Sequence, residues 1–154
     1  MLYLFLVICT ALCFFSCEKA EEANFVRKGI YTVQLVDSEI CFRAVLDEEY
    51  QEYVFTEPEA IAGLKAVSYD GVDFELDYKG IKQNVYSFAL KSATDFSAAT
   101  ELLQKACVKN GDRVSAFVDG LSAEGITKNG RLTELSFTDG RNKRNYIIVT
   151  EATG

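Results

Sequence analysis

The chain has 154 residues, 49% of them hydrophobic and 25% charged, with a single proline, which is the composition of one folded domain rather than of a disordered segment. Its 23 acidic residues outnumber its 16 basic ones for a net charge of -7, a balance that repels polyanions and speaks against a nucleic-acid partner. It has no histidine, so the commonest general base, triad partner and metal ligand is missing.

Residues 2–15, LYLFLVICTALCFF, are apolar except for Thr10, and the run stops at Ser16-Cys17-Glu18-Lys19. The run has the length of a signal-peptide core, and as a helix it would reach about 22 Å, short of the roughly 30 Å of a bilayer's hydrocarbon. The junction Phe14-Phe15-Ser16-Cys17 resembles a bacterial lipobox, in which a small residue precedes a cysteine that is lipidated and becomes the mature N-terminus. That resemblance implies a signal peptide over 1–16, a lipid anchor at Cys17, and a polar tether over 17–24 ahead of a single domain over 25–154. The alternative is an uncleaved signal anchor. Both place the domain in the cell envelope, on the extracytoplasmic face of a bacterial membrane.

Eight tyrosines and eleven phenylalanines fit a pleated sheet surface. Residues 29–36 alternate, with Tyr31, Val33 and Leu35 on one face, and read as a first strand. Residues 40–46 follow, with Ile40, Phe42, Ala44 and Leu46 on one face, and residues 50–56 carry Tyr53 and Phe55. Pro58 opens a short segment, 57–64, that reads as one helical turn with Gly63 near its end. Residues 65–69, 72–78 and 81–88 form a meander jointed at Asp70-Gly71 and Lys79-Gly80, and its middle strand has an acidic face of Asp73, Glu75 and Asp77.

From Ser92 or Asp95, either able to cap, Phe96, Ala99, Leu102, Leu103, Ala106 and Cys107 recur at helical spacing. This predicts one helix over about residues 92–109, ended by Asn110-Gly111, with its apolar stripe against the sheet. Residues 113–118, 121–127, 131–137 and 143–150 then read as strands joined at Asp119-Gly120, Asn129-Gly130 and Asp139-Gly140. The expected fold is mainly β within the α+β class: a curved antiparallel sheet or half-open barrel of nine to ten strands with one long helix packed against it.

Cys9, Cys13 and Cys17 recur every four residues, but the first two lie in the expected leader and lack partners for a metal shell. Cys41 and Cys107 remain. They would either close a loop of about 66 residues, constraining the unfolded chain by about 3–4 kcal/mol, or stay as buried free thiols. Gly120-Leu121-Ser122-Ala123-Glu124-Gly125 misses the spacing of a nucleophile elbow and reads as a turn. Asp70-Gly71-Val72-Asp73 lacks the ligand run of a calcium loop, and Glu57, Glu59 and Asp119 offer carboxylates without singling out a pair. No catalytic residue, metal or cofactor is expected, and the chain reads as non-enzymatic.

The stretch Phe55-Thr56-Glu57-Pro58-Glu59-Ala60-Ile61-Ala62-Gly63-Leu64, the pairs Tyr69-Asp70-Gly71 and Tyr78-Lys79-Gly80, and the late Thr127-Lys128-Asn129-Gly130-Arg131-Leu132 hairpin together resemble small lipoproteins of the LolA/LolB-like lipoprotein carrier type. The resemblance implies a half-open antiparallel barrel covered by helix, with an apolar hollow for acyl chains. On it rests the first functional expectation: a lipid-anchored, non-enzymatic module that holds a lipid or other apolar ligand between sheet and helix. Phe42, Tyr53, Phe55, Phe74, Leu76, Phe88, Phe96, Leu103, Phe117 and Phe137 are the lining candidates. The same residues equally suit a filled core, since alternating aromatics on a sheet need burial with or without a ligand. The second expectation is therefore a scaffolding or interaction lipoprotein that engages another envelope protein by an exposed sheet face or edge.

Overall fold

The computed structural model describes residues 21–151. The leader over 1–16 and the lipidation site Cys17 lie outside the described residues.

Twelve strands form one antiparallel sheet: β1 (Glu21–Glu22), β2 (Gly29–Leu35), β3 (Cys41–Leu46), β4 (Gln51–Glu57), β5 (Lys65–Ser68), β6 (Asp73–Tyr78), β7 (Ile81–Tyr86), β8 (Val108–Asn110), β9 (Arg113–Val118), β10 (Leu121–Lys128), β11 (Arg131–Asp139) and β12 (Asn142–Glu151). Their spatial order is β1-β8-β9-β10-β11-β12-β2-β3-β4-β5-β6-β7, so the sheet is open, with β1 at one edge and β7 at the other. Ten strands are those expected from the alternation. The other two are short: β8 follows the helix, and β1 occupies the end of the expected tether, where Glu22 pairs with Val108 and the Ala23 N–H donates to the Cys107 carbonyl. Ala23 and Phe25 also pack against the core, so the domain begins before residue 25.

The turns obey the chemistry of their residues. Lys79, Asp119 and Asn129 all take a left-handed backbone (φ 52–53°) ahead of a glycine that does the same, the arrangement that joins two strands with their natural twist. Gly125 is a different case, because its backbone is ordinary but space is not. A Cβ there would lie 2.6 Å from the Leu132 side chain and 3.1 Å from the Glu134 carbonyl oxygen.

The chain crosses from β7 at one edge to β8, next to the other edge, through a 3-10 turn, Ser87–Leu90, and helix α1 (Lys91–Ala106), which packs on one face of the sheet and touches β9, β10, β11, β12 and β3. The helix differs from expectation at both ends. Leu90 stands at its N-cap and no side chain caps it, because the preceding 3-10 turn already leads the chain in. Asp95 instead sits buried within the first turn and a half, paired with Arg144 of β12 and with Lys91 Nζ at 3.0 Å. At the other end Cys107 is extended and residues 108–110 leave the helix to pair with β9.

The core is aromatic. The Phe96 ring meets Tyr31, Phe42 and Tyr146 edge-on at 5.5, 6.0 and 5.6 Å between centroids. Phe42 continues to Tyr53 and Phe55, and Tyr53 stacks on Phe74 at 5.8 Å, so one contact chain runs from β12 through α1 to β6. Cys41 and Cys107 are both free thiols, the first partly exposed on β3 and the second buried at the end of the helix.

Candidate functional site

The interior that was expected to form a hollow is occupied by its own side chains. Phe42, Tyr53, Phe55, Phe74, Phe96, Leu103 and Phe137 are all buried in one cluster, with Leu76 half-buried against it. The remaining two candidates are corrected by the structure. Phe88 (75% exposed) lies on the outside of the 3-10 turn, and Phe117 (72% exposed) points away from the helix because Val114 and Ala116 take the inward positions of β9. The concavities described are open grooves on the surface, one of which borders the C-terminal end of α1 at Gln104–Cys107 where it meets β9 and β10.

One buried polar network runs beside that core. Arg27 Nη2 donates to Ser97 Oγ at 2.5 Å, and Ser97 and Tyr53 hydroxyls both donate to Gln51 Oε1, at 3.1 and 2.9 Å. The Tyr31 hydroxyl caps the Arg27 carbonyl. Burial pushes the Tyr53 phenol above its ordinary range, against a pull from the Ser97 hydrogen bond and the Arg27 charge. The network ties residue 27 to α1 and β4, which fixes the entry of the chain into β2.

The most developed surface concavity is a groove of about 950 Å³ on the β4–β7 side, lined by Tyr50, Tyr69 and Tyr86 together with Lys65, Val67, Asp73, Glu75, Asp77, Lys82 and Asn84. Tyr50 and Tyr69 pack ring to ring at 5.5 Å. The Tyr50 hydroxyl donates to Glu52 Oε2 at 2.5 Å, and that bond, with burial and the Glu52 charge, pushes the phenol up to about 12. Burial raises the Glu52 carboxyl, but hydrogen bonds from Lys65 (2.7 Å) and Tyr50 outweigh it and hold the group below its ordinary value. Asp70 is exposed and folds back on its own turn: its carboxylate accepts the backbone N–H groups of Asp73 and Val72 and the Ser68 hydroxyl, which lower its pKa and explain the Asp-Gly motif as a turn.

The β7 edge borders this groove. Among the described residues β7 pairs only with β6, and along its six residues only Val85 is partly buried. Of ten exposed large apolar side chains among the described residues, five fall between residues 69 and 88: Tyr69, Val72, Ile81, Tyr86 and Phe88. Tyr86 and Phe88 stack at 6.1 Å, so their exposed rings hold each other in place. β6 lays Asp73, Glu75 and Asp77 beside Tyr86, Asn84 and Lys82 of the edge strand.

The other sequence motifs are structural. Gly120 makes the β9–β10 turn, while Ser122 and Glu124 lie on the outer side of β10. Glu57 ends β4, where Cys41 Sγ donates to it at 3.3 Å, Glu59 opens the 3-10 turn Glu59–Ile61, and Asp119 sits in the β9–β10 turn, so the three carboxylates belong to separate elements. No group of three metal-ligating side chains occurs among the described residues. Sequence reasoning missed Arg27, whose burial depends on the N-terminal segment packing under α1, and the exposed ring pair, since Tyr86 and Phe88 look like ordinary strand aromatics. In comparisons with known proteins, no family model and no curated protein matches this chain.

Proposed function

We propose that the protein is a membrane-anchored extracytoplasmic lipoprotein whose domain is a non-enzymatic interaction module, binding an extended segment of another envelope protein along β7. The observation that carries this reading is the unpaired β7 edge with the stacked rings of Tyr86 and Phe88 at its end. A free edge presents a row of backbone donors and acceptors to an added strand, and neighbouring side chains then set specificity. Here those neighbours are tyrosines and the carboxylates Asp73 and Asp77, with Glu75 already paired to Lys82 at 2.8 Å, and the two aspartates suit a segment with basic side chains. Anchoring rests on the lipobox-like junction at Cys17.

The carrier reading, an acyl chain held between α1 and the sheet, needs room that the buried cluster of Phe96, Leu103 and Phe137 fills. A photo-crosslinking residue placed at Gln83 on β7 tests the choice in living cells. A protein adduct that is lost in a Tyr86→Glu, Phe88→Glu variant supports the interaction module. Absence of any protein adduct, with a lipid co-purifying with the domain, puts the carrier reading in front.

A further inference from the structure

We infer that the β8–β9 end of the sheet is a second working surface, one that lies on the anionic headgroups of the membrane; this deepens the anchored reading and rests on lipidation at Cys17. Glu21, the first described residue, pairs with Lys109 at the outer edge of the sheet, beside the Asn110–Arg113 turn. Cys17 is four residues upstream of Glu21, and four residues span at most about 14 Å. A lipid on Cys17 therefore holds this end of the domain within one short tether of the bilayer.

The charges at that end fit such a neighbour. Lys109 and Arg113 flank one turn, and Lys128 and Arg131 flank the next, Asn129-Gly130. The two turns are adjacent, because the Thr127 N–H donates to the Asp112 carbonyl at 2.7 Å. All four basic side chains are exposed, and among the described residues none forms an ion pair. Lys128 and Arg131 stand directly opposite each other across the hairpin, an arrangement that costs stability when nothing negative lies between them. Elsewhere in this acidic chain most basic groups sit against a carboxylate, as Lys28 does against Asp47 and Lys65 against Glu52. Asp112 lies within the first turn and Glu21 opposite Lys109, and four bases against these two acids leave this end net basic, which matches an anionic lipid surface that attracts each nearby lysine or arginine. It also places the β7 edge at the far end of the strand order, free to meet a partner.

The chain contains no tryptophan, so a single one reports its own position. The full lipidated chain, extracted from membranes and reconstituted, carries either Asn110→Trp at the basic end or Asn142→Trp beyond the other end of β11, whose nine residues separate the two turns by about 27 Å. The Asn142 site has its own free bases in Arg141 and Lys143, which makes it a demanding control. In vesicles containing phosphatidylglycerol and a headgroup-nitroxide lipid, quenching of Asn110→Trp is expected to exceed that of Asn142→Trp severalfold. The excess should disappear in pure phosphatidylcholine and on Arg113→Glu with Arg131→Glu. Equal quenching at the two sites of an acylated chain, or an excess that ignores charge, overturns the inference while leaving the anchor intact. A chain whose mass shows no acyl group at Cys17 overturns the anchor itself.

Discussion

Leu103 lies on α1 with no exposed surface, inside the cluster that fills the space between helix and sheet. Leu103→Ala removes three carbons from that site, about 2.4 kcal/mol of transfer free energy at about 0.8 kcal/mol each. Packed neighbours relax only partly, so a cavity penalty brings the expected loss to about 3–5 kcal/mol. With a urea slope of about 1.5–2 kcal/mol/M, the unfolding midpoint should fall by about 2 M at unchanged slope. Urea denaturation followed by circular dichroism measures this, and titration of the same variant with an apolar fluorescent dye should match the unsubstituted chain. A loss below about 1 kcal/mol together with altered dye binding would mean that Leu103 borders an existing hollow, and would refute the filled-core reasoning.

Two further outcomes follow from local geometry and charge. Gly125→Ala should destabilise by about 1–3 kcal/mol, since its Cβ meets Leu132 at 2.6 Å and the Glu134 carbonyl at 3.1 Å; a neutral effect on the thermal midpoint would show that β10 and β11 can part at no cost. Glu52 has its pKa held below the ordinary 4.5, so it favours the folded state above that pH and loses this contribution as pH falls through the lower folded value. Glu52→Gln should therefore lower stability at neutral pH and flatten the acid limb of a stability–pH curve, leaving the part due to Asp47 and Asp70, which are lowered in the same sense. An unchanged acid limb would contradict the role given to Lys65 and Tyr50.

Much of the sheet was legible because its signals are local. Alternation along residues 29–35, 41–46 and 131–139 marks both strand and buried face, and Lys79-Gly80, Asp119-Gly120 and Asn129-Gly130 mark turns by backbone preference alone. β1 and β8 were invisible for the same reason. Two or three residues carry no period; β8 becomes a strand only because the edge of β9 is there to pair with, and β1 only because β8 then is. The helix stripe was readable, whereas Asp95 looked like a cap and became the partner of Arg144, which is 49 residues away. Phe117 failed on parity: in Val114-Ser115-Ala116-Phe117 it is Val114 and Ala116 that face inward, and an aromatic on the outer face breaks the rule that large apolar groups go in. Phe88 failed because the strand it was assigned to ends at Tyr86. Seven of the ten candidate lining residues were placed in the buried cluster, yet burial alone does not distinguish a core from a pocket, and only the packing of rings around Phe96 does.

Native mass spectrometry of the chain extracted from its membrane tests the central claim most directly, since it weighs the anchor and any cargo together. An anchored interaction module with a filled core gives a mass that begins at Cys17 and carries covalent acyl groups, with no further lipid released on gentle activation. An unacylated chain, or an acylated one that sheds a stoichiometric non-covalent lipid, contradicts it.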